Sequence, residues 1–189
     1  MRGMRGYKGP LHAGTADLHH WIEHRTDVGR RMAAGTPCRQ LYAGWLSMKL
    51  HFARMVHRHV PPACQRADAL AGALIEMGAD VLPLVAAREH AEWLARGAEW
   101  ERERRMTGTM YVVVGSMFGA EQIARLLAGT GLPVACLRQN DAATEVAFLR
   151  QLRQRGDCLP EAMMTFEAMI ACCDEIERHV RSAAVEGEP

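Results

Sequence analysis

A chain of 189 residues is long enough to bury one sizeable hydrophobic core. Its 23 basic and 22 acidic side chains leave a net charge of +1, which excludes the strongly basic footprint of a nucleic-acid-binding domain. Aromatic residues make up only 6% of a chain rich in Ala, Leu, Met and Arg, a mixture that favours helix over strand.

The N-terminus, MRGMRGYKGP, is basic without an apolar stretch behind it, which is not the pattern of a secretory signal. No apolar run reaches the ~20 residues of a membrane span. The six cysteines form no CxxC pair, and a disulfide framework is not expected in a domain of this size. These features predict a soluble, cytoplasmic protein with neither membrane nor nucleic acid as partner.

Residues 1–10 read as a flexible arm. From Leu11 to about Thr26, Leu11, Thr15, Leu18 and Ile22 fall on one helical face, with His12, Ala16, His19 and Glu23 on the stripe beside it. His19 and His20 cannot face the same way. His19 is the better inward candidate, because a carboxylate one turn away at Glu23 can orient its imidazole. A His-rich surface turn is the alternative.

Thr36 and Pro37 are a helix-start signal for a helix reaching His59, with Leu41, Trp45, Met48, Phe52 and Met55 as its apolar set. His51, His57 and His59 near its end do not have zinc-site spacing. Helices follow over Arg66–Met77 and Ala86–Arg105, the second with Trp93 and Trp100 packing together on its buried side. A short helix is expected over Asp141–Arg155. Pro160 opens the last helix, whose inward stripe is Met163, Phe166, Met169, Ile170 and Ile176. The expected fold is an all-α, single-domain bundle of about seven helices over residues 11–183, with a tail at 184–189.

Between them lies Thr107–Leu127, a long apolar segment interrupted by Gly115 and Gly119. Four residues apart, the glycines share one helical face and bare its backbone. Three readings fit: a close helix–helix crossing, a platform for a flat ligand, or a Val-rich strand ahead of a phosphate-binding turn.

Two stretches coincide in order. Thr15-Ala-Asp-Leu-His19-His-Trp-Ile-Glu23 follows the pattern T-x-x-x-H-x-x-x-E/D. Gly108-Thr-Met-Tyr111-Val-Val-Val-Gly115-Ser116-Met-Phe-Gly119-Ala120 carries G-S-x-x-G-G/A behind a tyrosine. Together they resemble the haem oxygenase family, in particular its bacterial members that supply biliverdin to phytochromes. Ala162-Met-Met-Thr165-Phe166 is similar to the A-x-x-T-F of that family's last helix. The resemblance spans roughly Leu11 to Glu177.

The resemblance implies a multi-helix bundle with a kinked distal helix over haem b, and His19, oriented by Glu23, as the ligand of the iron. Gly115 and Gly119 would let the distal helix approach the porphyrin plane, with Ser116 anchoring a water. Tyr111, His12, Arg150 and Arg153 would meet the propionates or distal waters, and Phe166 would wall the pocket. The implied reaction opens haem to biliverdin, carbon monoxide and ferrous iron, using dioxygen and an external electron donor such as a reductase or ferredoxin. A bacteriophytochrome is the implied acceptor of biliverdin.

The chain departs from the family at three places. His12 stands where Lys or Arg is common, Ser116 stands where animal members have Asp, and Met117 and Phe118 are bulky enough to crowd the haem. The departures at Ser116, Met117 and Phe118 leave a non-catalytic haem-binding or storage protein of the same fold as an alternative. A thiaminase-like helical enzyme with a cysteine nucleophile, Cys136 or Cys172 and Cys173, is a second.

Overall fold

The final helix is the axis on which the others converge. The computed structural model describes residues 9–82, 88–102, 107–138, 150, 152 and 155–186. These form α1 (Pro10–Gly14), α2 (Ala16–His20), α3 (Asp27–Ala33), α4 (Arg39–Val56), α5 (Ala67–Glu76), α6 (Arg88–Arg102), α7 (Thr107–Leu126) and α8 (Leu159–Glu186). No strand occurs among the described residues, so the all-α expectation is met in one body. No described helix is long and apolar enough to cross a membrane.

Helix α8 packs on α4, α6 and α7. It can do so because it is apolar around much of its circumference: Ala162, Phe166, Ala168, Met169, Cys172, Cys173 and Ile176 are all buried. Met163, expected inside, is 36% exposed. It lies about a quarter-turn from the buried Ala162, outside the face that the neighbouring helices cover.

The N-terminal helix expected over Leu11–Thr26 is observed as three pieces. The Thr15 hydroxyl donates to the Leu11 carbonyl at 2.7 Å, a local bond that competes with the helical ladder between α1 and α2. A π turn over Trp21–Arg25 then widens the coil, so the 3.6-residue period that placed Glu23 above His19 fails after His20. α3 is capped by Thr26, whose hydroxyl accepts from Gly29 N–H at 2.7 Å, and Glu177 of α8 accepts from Val28 N–H at 3.2 Å.

The start of α4 lies two residues beyond the expected Thr36 cap. Gly35, at φ 66°, and Thr36 send their N–H groups back to Met32 and Arg31, closing α3 in a Schellman turn. Thr36 is thus spent on the preceding helix, and the Cys38 sulfur accepts from Leu41 N–H instead, at 3.5 Å. The helix then ends at Val56, with His57–His59 in a 3₁₀ turn. Most of the expected Asp141–Arg155 helix lies outside the described residues, as does the Trp100 side chain. Trp93 is fully buried, and its indole N–H donates to Thr165 at 2.9 Å.

α7 runs as one uninterrupted α-helix through Gly115 and Gly119. The close helix crossing considered for those glycines occurs instead at Gly108. A Cβ there would stand 2.6 Å from both the Ala162 nitrogen and the Cys158 oxygen of the α8 approach. At Gly115 and Gly119 a Cβ would meet nothing within 4 Å. Gly108 and Gly115 are seven apart and share a face, so the face that touches α8 at one end opens on empty space two turns later.

Opposite stability effects are expected at these glycines. Gly108→Ala forces backbone apart and should cost about 1–3 kcal/mol. Gly115→Ala and Gly119→Ala add helix propensity without a clash and should each gain about 0.5–1 kcal/mol. Urea unfolding of the three apoprotein variants measures both signs.

Candidate functional site

The empty space beside Gly115 and Gly119 is part of a cavity of about 330 Å³, within the range of small-molecule sites. Four elements bring the residues of interest together. α2 and the π turn supply His19 and Glu23, α7 supplies Gly115, Ser116 and Gly119, and α8 supplies Phe166. Met32, Trp45, Met48 and Met169, all buried, complete apolar walls. Glu23, Gln122 and Leu126 are exposed and mark the mouth.

His19 is held by rings. Phe166 meets it at 4.5 Å between centroids, Tyr111 stands edge-on at 6.3 Å, and His12 lies at 5.9 Å. Such a collar restrains the imidazole plane through ring contacts. Glu23 has its carboxylate 3.7 Å from His24 Nε2 and is well exposed, so it is a rim charge. Tyr111, expected on the distal side, is buried beside His19 and is not part of the cavity lining.

Ser116 donates its hydroxyl to the Val113 carbonyl at 2.9 Å, so towards the cavity its two lone pairs can only accept, as from a water. Met117 and Phe118 do not line this cavity: Met117 is buried towards a neighbouring one, and Phe118 packs against the core. The crowding expected from them does not occur. Arg150 is exposed and outside the lining, and Arg153 lies outside the described residues.

One residue in the cavity wall escaped sequence reasoning. Lys49 of α4 is half-buried, donates to the Ser116 carbonyl at 3.3 Å and lies 5.3 Å from the Trp45 ring centroid. Burial pushes its ammonium down to about 8. The available signal was a single charge inside the apolar run Trp45–Phe52.

The three candidate thiols are poor nucleophiles. Burial pushes Cys136 up to about 11, and Cys172 and Cys173 up to about 12, so all three are neutral near pH 7. Among the described residues no group of three or more His, Cys, Asp or Glu could hold a bare metal ion. A metal that brings its own equatorial ligands needs one imidazole only. His19, the uncovered backbone at Gly115 and Gly119, and the apolar walls fit such a flat macrocycle. No known protein-family model matches this chain, and no curated protein matches its sequence.

Lys49 gives the site a pH signature. Its folded pKa lies below the ordinary 10.5, so between about 8 and 10.5 the unfolded chain binds more protons and this group makes stability rise with pH. The raised cysteine pKa values act oppositely, because the unfolded thiols ionise first. Comparing urea unfolding of wild type and Lys49→Met from pH 7 to 10 isolates the lysine. The mutant's stability advantage at pH 7 should shrink as pH approaches 10.

Proposed function

We propose that this protein is a haem oxygenase, binding haem b in the cavity bounded by His19 and the Gly115–Gly119 face. The observation that carries the proposal is the convergence of both sequence motifs, some hundred residues apart, on one cavity. The missing Cβ atoms at Gly115 and Gly119 face open space there rather than a neighbouring helix. The neutral, buried thiols weigh against a cysteine-dependent hydrolase.

Bound haem supplies the dioxygen chemistry by which its own ring is opened to biliverdin, carbon monoxide and ferrous iron, with electrons from an external donor. The protein's contribution is placement. His19 presents one imidazole, kept in plane by Phe166, Tyr111 and His12. Gly115 and Gly119 leave the ligand room against bare backbone. Ser116 accepts from a water at that face, and Lys49 donates to the same backbone carbonyl that ends the Ser116 peptide unit. Met32, Met48 and Met169 exclude bulk water.

Turnover tests the proposal. Wild-type protein loaded with haemin, with ascorbate or a reductase under air, should lose its Soret band and produce a bilin absorption and carbon monoxide. His19→Ala should reduce the rate at least tenfold, and Gly115→Leu, which fills the cavity, should reduce haemin binding. A stable Soret band in wild type under these conditions would indicate haem storage instead.

A further inference from the structure

His20-Trp-Ile-Glu23-His24 sets two imidazoles four residues apart, with a carboxylate beside the second. The haem reading uses His19 and gives neither of these histidines a role. Their spacing is the one by which two histidines on a single helical turn grasp one metal ion. The π turn over Trp21–Arg25 does not part them: the ring centroids lie 4.8 Å apart, with the planes tilted by 50°. Two imidazoles bound through nitrogen to one ion at about 2.1 Å, at right-angled to tetrahedral bond angles, put their ring centres roughly 4.5–5.2 Å apart. The observed separation falls inside that range. Both side chains are exposed, so a hydrated ion can reach them and the rings can turn to meet it. The Glu23 carboxylate stands 3.7 Å from His24 Nε2, too far for a hydrogen bond but close enough to attract a cation to the pair. Among the described residues no three such donors converge, so the pair is an open chelate whose remaining coordination positions fall to water.

We propose that His20 and His24 chelate a divalent first-row transition-metal ion at the surface, Cu(II) more tightly than Ni(II) or Zn(II). Imidazole nitrogen suits these three ions, and copper stands highest in the general order of affinities. Magnesium and calcium, which take oxygen ligands, are excluded. The site lies across a junction, because α2 ends at His20 and the π turn begins at Trp21. A bound ion therefore ties the two pieces together and stabilises the folded state by mass action. It is separate from the iron that the proposed function assigns to His19.

The test uses the full chain without haem, so its result is separate from that of the proposed reaction. Calorimetric titration of wild type with copper(II) chloride should be saturable at one ion per chain. Electron spin-echo modulation of that complex should show two coupled imidazoles. His20→Gln and His24→Gln should each weaken binding at least about tenfold, because either turns a chelate into a single contact. His57→Gln, at an exposed position in the turn after α4, should leave it unchanged. Crystals of wild type soaked in zinc chloride should give an anomalous peak between His20 and His24, which decides the matter even if a variant fails to fold. Undiminished binding in folded His20→Gln or His24→Gln, a loss in His57→Gln instead, or a zinc peak elsewhere only would overturn the proposal.

Discussion

The arrangement depends on how the N-terminus of α7 is fastened to α8. Glu161 accepts from Thr109 N–H at 2.8 Å, placing a buried carboxylate at the positive end of the helix. Thr165 donates to the Glu161 carbonyl at 2.8 Å, accepts from Trp93 at 2.9 Å and exchanges a hydrogen bond with Thr109 at 3.1 Å. These bonds use the hydroxyl's one donor and two acceptor sites. One residue away, Gly108 lets the two backbones come closer than any side chain would allow. The junction is both tight and polar, so it specifies one register of α7 against α8.

The cavity follows from that register. Two turns beyond the junction the same face of α7 carries Gly115 and then Gly119, while α8 presents Phe166 and Met169. The helices are pinned at one end, and the glycines leave the gap unfilled at the other. His19 reaches the gap from α2 and is braced by Phe166 and Tyr111, one residue from each of the two pinned helices. The imidazole is thereby positioned by the same two elements that define the space. Lys49 of α4, which donates to the Ser116 carbonyl, adds a charge whose ammonium form is disfavoured by its own burial.

Local patterns in the sequence carried the helices well. The apolar spacing of Leu41, Trp45, Met48, Phe52 and Met55 predicts α4, and all five are buried. Both halves of the cavity, His19 and the Gly115–Gly119 pair, were visible as motifs. What was hidden depends on partners distant in the chain or on a change of helical pitch. Thr36 looks like a cap until Gly35 turns it into the end of α3. Glu23 looks like the partner of His19 until the π turn rotates it to the rim. Gly108 looks ordinary because its reason lies in the backbone near Ala162. The brace of rings around His19 and the place of Lys49 in two cavity walls likewise exist only after packing.

In the function proposed above, His19 is the group that would hold an iron in this cavity. Resonance Raman spectroscopy of the ferrous haem complex tests it most directly. With His19 as the ligand, an iron–histidine stretching band is expected in wild type, its loss in His19→Ala, and its return when free imidazole is added to the mutant. An unchanged band in His19→Ala would place the ligand elsewhere, for example at His12, whose ring lies 5.9 Å from that of His19, and would rule His19 out.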